Sequence, residues 1–152
     1  ALDYPSQALF GPLGMRSAVL EADENGTFVG SSYLYATARD WVRYGQLLLQ
    51  KGVWNGAEIL PAGYVDWMAE TAPASNGLYG RGQVWLAGPG DDEKAEIALG
   101  VPADAFWMVG HDGQSAAIIP SAQMVVVRLG LTPSRLGYRP EPMVGALVKA
   151  LD

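Results

Sequence analysis

The hydrophobic residues follow a helical period in one long stretch of the chain and form short runs elsewhere. In the segment TARDWVRYGQLLLQKG, Trp41, Tyr44 and Leu48 fall at positions i, i+3 and i+7, which predicts an amphipathic helix. Thr37 precedes the first turn, and Asp40 stands three residues after Thr37, which is the spacing of a capping box. The closing Lys-Gly pair places a lysine in the last predicted turn and a glycine stop signal after it.

Two more helices are predicted, and two stretches are predicted to be irregular. Pro61 is well placed in a first turn, so PAGYVDWMAET is expected to be a helix. PMVGALVKALD predicts a C-terminal helix with Val144, Leu147, Val148 and Leu151 on one face. The first 36 residues are expected to be irregular with short extended pieces. GPGDDEKAEIALGVPAD (residues 88–104) is expected to be an exposed, mobile acidic loop.

The last third of the chain carries the strongest β signal. The runs AFWMVG, QSAAIIP and QMVVVRLGL are rich in strand-forming residues and separated by turn residues, which predicts an antiparallel meander. Asn55-Gly56 indicates an earlier hairpin, and GLYGRGQVWLA predicts another strand. The fold class is therefore α+β, an antiparallel β-meander with flanking helices.

Composition and charge exclude several classes of function. The chain has 152 residues, 49% of them hydrophobic, and a net charge of −6, which suits one globular domain and no nucleic-acid partner. Its three lysines are scattered and its apolar runs are short, so no membrane contact is expected. It has one histidine and no cysteine, so neither a metal site nor a thiol nucleophile is expected. No cofactor is predicted.

The single histidine lies in the stretch Gly-His-Asp-Gly-Gln at residues 110–114. The Asp-Gly pair between two apolar runs is typical of a type I′ turn, with His111 at its edge. The alternative is that His111 carries a proton or donates a hydrogen bond at a cleft. Both interpretations are compatible, because loops at strand ends commonly carry site residues.

Other candidate motifs favour structural roles. No Gly-x-Ser-x-Gly motif is present, and Ser115 is expected to be a structural strand residue rather than part of a triad with His111. The carboxylates at 23–24 and 91–93 are expected to be solvated, and Gly80-Arg81-Gly82 is too short for a phosphate loop. Four tryptophans are expected to be core residues: Trp41, Trp67, Trp85 and Trp107.

The order of these segments resembles the C-terminal part of the serine β-lactamase-like family, which includes class C β-lactamases, DD-peptidases, family VIII esterases and 6-aminohexanoate-dimer hydrolases. The matching pieces are LFGPLGM, ATARDWVRYGQLLLQKGVWNGAEILPAGYV, LYGRGQVW and GHDGQSAAIIPSAQMVVVRLG. They cover most of the chain. The resemblance implies the C-terminal half of the β-lactamase/transpeptidase-like fold and hydrolysis of ester or amide bonds, with β-lactams among the candidate substrates, through an acyl-enzyme.

Two of that family's catalytic motifs are absent from this sequence. The residues three positions before Lys51, Lys94 and Lys149 are leucine, aspartate and alanine, so there is no Ser-x-x-Lys. No tyrosine or serine is followed two residues later by asparagine. The resemblance therefore implies that residues 1–152 form a single domain, the C-terminal segment of a larger hydrolase, and that this chain alone is inactive.

The family's Lys-Thr-Gly-like motif has two alignments here. His111-Asp112-Gly113 resembles its histidine variant; alternatively, Met108-Val109-Gly110 takes its place and His111 follows. Either alignment implies that the stretch edges the cleft, and the strand after Gly110 is expected to supply one oxyanion donor. The resemblance implies two sets of site residues: Gly110, His111, Asp112 and Gly113 as catalytic residues of the cleft wall, and Met108 and Gln114 as substrate-binding residues.

Two other functions stay open: a non-catalytic binding domain derived from the same fold, and a complete small hydrolase that uses His111. The expected partner of the full enzyme is a small ester or amide substrate. A sheet edge left open is expected to pair with a second copy of the chain and give a homo-oligomer. The alanine- and glycine-rich composition suits a bacterial source.

Overall fold

A three-stranded antiparallel sheet forms the centre of the fold. The structure is a computed structural model, and it describes residues 2–88 and 93–151. A helical stretch, Ser6–Phe10, leads directly into the first α-helix. The helices are α1 (Gly11–Leu13), α2 (Ala38–Leu49), α3 (Tyr64–Ala69), α4 (Glu93–Ala98) and α5 (Glu141–Leu151). The strands are β1 (Val19–Leu20), β2 (Leu34–Tyr35), β3 (Val53–Trp54), β4 (Ala57–Glu58), β5 (Phe106–Val109), β6 (Ser115–Ile119) and β7 (Met124–Arg128).

The predicted meander is confirmed. The strands run in the order β5-β6-β7, and each neighbouring pair is antiparallel. All five residues of β6 are buried, as expected for a central strand covered on both faces. The run SAAII is continuously small or apolar for the same reason, because a strand buried on both faces does not alternate with polar residues.

The sheet is covered on both faces by helices. Trp107 and Ile119 face α5 and pack with Val144 and Val148 in one core cluster. Phe106 and Ile118 belong to a second cluster, with Leu48 of α2 and Val65 and Met68 of α3 on the opposite face. Trp107 is fully buried, so its replacement by alanine should cost roughly 3–5 kcal/mol of stability.

Helix α2 follows the predicted amphipathic pattern and packs closely on the sheet. A Cβ at Gly45 would lie 2.6 Å from Cγ1 of Val125, so the glycine allows the helix backbone to approach β7. Leu47 and Leu48 are buried at 0% and 1% exposure. The helix ends at Leu49, and Lys51 has a φ of 56°. The prediction that Lys51 lies in the last turn was therefore wrong.

The N-terminus of α2 is capped through a third residue. Thr37 Oγ1 accepts from the Asp40 N–H (3.4 Å), as a capping box requires. The Asp40 carboxylate, however, accepts from the N–H and Oγ–H of Ser17, at 2.9 and 2.6 Å. Ser17 Oγ in turn accepts from the Thr37 N–H (2.9 Å). In a capping box the side chain of the third residue, here Asp40, would accept from the Thr37 N–H. Here Ser17, 20 positions before Thr37, accepts that hydrogen bond, because the side chain of Asp40 is turned towards Ser17.

The hairpin at Asn55-Gly56 is confirmed: β3 and β4 pair across it, and φ is 49° and 80° at the two turn residues. The next helix begins later than predicted. Helix α3 starts at Tyr64 after Gly63, and the carbonyl of Pro61 accepts from the Tyr64 N–H in a preceding turn. A left-handed Gly63, with φ of 78°, separates that turn from the helix.

Three further secondary-structure predictions need correction. The stretch 77–87 is not a continuous strand, because a turn through Gln83 (φ 62°) leaves only isolated bridges. The predicted acidic loop contains helix α4. Residues 89–92 of that loop lie outside the described part of the chain. The stretch before residue 37 is not wholly irregular, since Ser6–Phe10 and α1 are helical.

Two burial predictions were also partly wrong. On α5, Val144 and Val148 are buried, but Leu147 and Leu151 are 39% and 75% exposed. The buried face of this helix instead includes Glu141 and Gly145. Of the tryptophans expected in the core, Trp107 is fully buried, Trp41 and Trp85 are half-buried, and Trp67 is 41% exposed.

Candidate active-site wall

The stretch with the only histidine is a tight turn that joins β5 to β6. Asp112 (φ 52°, ψ 47°) and Gly113 (φ 78°) are both left-handed, as a type I′ turn requires at its two central positions. The Gln114 N–H donates to the His111 carbonyl (3.3 Å), and the Gly110 N–H donates to the Gln114 carbonyl (2.8 Å). The predicted Asp-Gly turn is confirmed, with His111 at its first position.

The turn presents the imidazole outwards. His111 is 85% exposed at its side chain, and its Nε2 lies 3.2 Å from Oδ2 of Asp112, whose side chain is 26% exposed. The Gln114 side chain donates from Nε2 to the His111 carbonyl (3.1 Å). Asp112 can therefore orient the ring, and the remaining face of the ring is open to a substrate or to another segment.

The serine nearest to this histidine in sequence is unavailable for nucleophilic chemistry. Ser115 is 6% exposed and lies in the central strand β6, opposite Val109 on one side and Arg128 on the other. This placement agrees with its predicted role as a structural serine.

The outer edge of β5 has open backbone groups next to the turn. Trp107 exchanges two backbone hydrogen bonds with Trp85, at 2.8 and 2.9 Å, so its N–H and C=O point away from β6. Backbone groups alternate in direction along an antiparallel strand, so those of Val109 also point away from β6. Within residues 2–88 and 93–151, no backbone group pairs with them.

This edge corrects one sequence prediction. An oxyanion donor was expected from the strand after Gly110, which is β6. Strand β6 lies between β5 and β7, and the alternating directions of its amide groups commit them to those two neighbours. The open donor is instead on β5, at Val109. Val109 follows Trp107 by two residues, so its N–H points the same way as that of Trp107. This relation identifies the open N–H only once the pairing of Trp107 with Trp85 is known.

The two predicted substrate-binding residues are differently placed. Met108 is half-buried and packs against the cluster that contains Leu48 and Phe106, so its side chain serves mainly the core. Gln114 is half-buried and closes the turn through its side chain. The turn holds the four residues that were assigned to the cleft wall, which are Gly110, His111, Asp112 and Gly113.

A group that sequence reasoning missed supports the turn from behind. Arg128, the last residue of β7, donates from Nη1 to the Gly113 carbonyl (2.8 Å). Thr132 donates its backbone N–H to the Asp112 carbonyl (2.7 Å). The sequence offered no local signal for these contacts, because Arg128 ends an apolar strand 15 residues after Gly113.

Other chemical features lie away from the turn. Among the described residues, no three His, Cys, Asp or Glu side chains form a metal-binding group. None of the described helices is both long and apolar enough to span a bilayer. Among the described residues, Asp40, Tyr44 and Glu141 have shifted pKa values. Burial raises the pKa of the Tyr44 hydroxyl.

Comparisons with known proteins place the fold. Neither the protein-family models nor the curated proteins gave a match. The matching solved structures include the "Putative 6-aminohexanoate-dimer hydrolase from Bacillus anthracis", with 30% identity and a TM-score of 0.62; the match covers 81% of this chain and 30% of that one. They also include the "Crystal structure of putative beta-lactamase from Bacteroides dorei DSM 17855", with 18% identity, a TM-score of 0.57, and coverage of 96% and 48%.

The chain thus spans less than half the length of either structure. The match at 30% identity extends the likeness from fold to sequence, whereas the match at 18% concerns the fold alone. The resemblance predicted from the sequence is confirmed: the chain has the fold of part of a β-lactamase-like hydrolase.

Proposed function

We propose that this chain forms one wall of the active site of a serine hydrolase that cleaves ester or amide bonds, β-lactam amides among them. The reaction runs through an acyl-enzyme. The nucleophilic serine and its lysine are supplied by residues outside this sequence, since no serine stands three residues before any of the three lysines. The likeness at 30% identity to a protein described as a "Putative 6-aminohexanoate-dimer hydrolase" supports amide cleavage.

The observation that carries the proposal is the open edge of β5 at Val109, two residues before His111. A carbonyl substrate laid along this edge can accept a hydrogen bond from the Val109 N–H. A backbone donor held in a sheet is preorganised for the negative charge that develops on the carbonyl oxygen. The donor requires no rearrangement as the charge forms.

His111 acts at the end of the same edge. Its exposed ring is held by the Asp112 carboxylate at 3.2 Å, which leaves the other ring nitrogen free for a substrate or a leaving group. An imidazole can donate a hydrogen bond or move a proton near neutral pH. The family's lysine provides a fixed charge at this wall, and the presence of His111 instead of a lysine favours esters and amides without an obligatory carboxylate.

A non-catalytic binding domain is the second candidate. It is favoured by the absence of a Ser-x-x-Lys in this sequence, and by the placement of Ser115 inside the sheet. Such a domain would use the same open strand edge to bind an extended segment rather than a reacting carbonyl.

Labelling with a fluorophosphonate and turnover of a chromogenic β-lactam and a nitrophenyl ester test the proposal. The natural protein should be compared with the 152-residue chain. If the natural protein extends beyond this chain and carries the serine part, it should form a stoichiometric adduct there, and the chain alone should form none. An adduct on any serine of the chain alone would contradict the proposal that the nucleophilic serine lies outside this sequence. A natural protein inert to all three reagents would favour the binding domain.

A further inference from the structure

The guanidinium of Arg128 connects four parts of the chain behind the candidate wall. Nη1 donates to the carbonyls of Gly113 (2.8 Å) and Gly130 (2.7 Å), and Nη2 donates to Thr132 Oγ1 (2.6 Å). The Cζ atom lies 3.8 Å from the centroid of the Tyr138 ring. Arg128 therefore makes three hydrogen bonds and one cation–π contact at once.

These contacts fix the two left-handed residues of the turn. The carbonyl of Gly113 is held by Arg128, and the carbonyl of Asp112 by the Thr132 N–H (2.7 Å). The space behind the turn is filled as well: a Cβ at Gly113 would lie 3.1 Å from the Tyr138 ring and 3.2 Å from Nη1 of Arg128. The orientation of the turn thus depends on the segment that follows β7.

The charge of Arg128 is directed at neutral acceptors. No carboxylate whose side chain the structure describes forms an ion pair with it. An arginine whose only role is to add surface charge does not need three hydrogen bonds to neutral acceptors. The planar fork of arginine suits it, because two carbonyls and a hydroxyl are reached while one face of the group stacks on a ring. A lysine offers a single point charge and cannot reproduce this pattern.

We propose that Arg128 is a positioning residue of the active-site wall, which holds the backbone of the turn so that His111 and the Val109 edge keep their mutual geometry. This inference rests on the proposed function. Arg128 does not touch the substrate; it acts through Gly113, and Thr132 assists it at Asp112.

The first test concerns the turn alone and uses the 152-residue chain. Arg128→Lys keeps the charge and removes the fork, and Arg16→Lys makes the same change at an exposed arginine as a matched control. We expect the amide resonances of residues 110–114 to shift in Arg128→Lys, and the Gln114 N–H to exchange faster. If those resonances move no more than in Arg16→Lys, Arg128 does not hold the turn and the inference is wrong.

The second test concerns catalysis in the natural protein, provided that it is active. Arg128→Lys should lower kcat and kcat/KM together by roughly 10- to 100-fold, the effect of a small misplacement of a catalytic group. KM and the melting temperature should change little. Unchanged kinetics despite a displaced turn would overturn the positioning role. An inactive natural protein with a displaced turn would instead show that the proposed function fails while the structural contact stands, and would likewise overturn a catalytic positioning role.

Discussion

Glu141 and Glu96 direct their carboxyl groups to the same point beside Gly88. A Cβ at Gly88 would clash with Oε1 of each. Glu141 is 0% exposed and Glu96 is 3% exposed. The Gly88 N–H donates to Glu96, whereas neither oxygen of Glu141 bonds to another described residue. Burial raises the pKa of the Glu141 carboxyl, and a hydrogen bond with its own backbone and the charge of the nearby Arg139 oppose this only in part.

The contribution of Glu141 to the free energy of unfolding should therefore fall as the pH rises from mildly acidic values. A raised folded-state pKa means that the folded chain keeps a proton that the unfolded chain releases above about pH 4.5. The contribution of Glu141 is fully present below that pH and is lost as the pH rises through the folded-state pKa. Each unit of pKa difference corresponds to about 1.4 kcal/mol.

Glu141→Gln tests this link, because glutamine keeps the shape and does not titrate. Urea unfolding between pH 4 and 8 should show that the variant gains stability over the natural chain as the pH rises. Glu58→Gln, at an exposed carboxylate, is the matched control and should follow the natural chain. If Glu141→Gln and the control have the same pH dependence, Glu141 ionises in the folded state as easily as in the unfolded one.

Ser17 should stabilise α2 from a distance of 20 residues. Its hydroxyl lowers the pKa of the Asp40 carboxyl by a hydrogen bond, and Arg43 adds to the effect. Ser17→Ala should cost about 0.5–2 kcal/mol, the usual range for a lost helix cap. Urea unfolding at pH 7 measures this loss, and Ser6→Ala, at an exposed serine, serves as its control.

The pH dependence of that loss has the opposite sign to that of Glu141. A lowered folded-state pKa contributes stability above about pH 3.8, and the contribution is lost as the pH falls through the folded-state value. The difference between Ser17→Ala and the natural chain should therefore shrink in acid. A difference that stays constant down to pH 2 would mean that Ser17 acts only on the backbone of Thr37.

His111→Ala should separate activity from stability in the natural protein, if that protein is active. The side chain is 85% exposed, so the melting temperature should change little. The value of kcat/KM should fall roughly 10- to 1,000-fold, the range between a lost positioning hydrogen bond and a lost acid–base or oxyanion donor. His111→Gln should recover part of the loss if hydrogen bonding is what matters. Intact activity with a large drop in melting temperature would assign His111 to packing instead.

Local patterns predicted the features that local forces decide. The helical period of α2, the Asn-Gly and Asp-Gly turns and the three apolar runs each depend on neighbours within a few residues, and all were confirmed. The start of α3 was missed because Gly63 and Pro61 compete as start signals. The buried face of α5 was predicted incorrectly, because helical spacing cannot show that Glu141 is buried while Leu147 is not.

The site was predictable only in part, for the same reason. The turn residues could be found from their spacing, since they are consecutive. The open amide of Val109 and the Arg128 contact could not, because both depend on pairings over long sequence distances: Trp85 with Trp107, and Arg128 with Gly113. Tertiary contacts of this kind leave no periodic signal in a single sequence.

The open edge of β7 leads to the last prediction, a homo-oligomer. The pairing with β6 uses the backbone groups of Met124, Val126 and Arg128, so those of Val125 and Val127 point outwards. No backbone partner for them occurs in the described part of the chain. An open edge favours pairing with a second strand, and the net charge of −6 opposes this only weakly at physiological salt.

Light scattering of the chain across a concentration series should therefore show a dimer or larger species. Val127→Pro removes one outward N–H without touching the ladder to β6 and should shift the chain towards monomer, whereas Val127→Thr keeps that N–H and should not. A strictly monomeric mass at high concentration, with cooperative unfolding, would mean that the edge of β7 needs no partner strand.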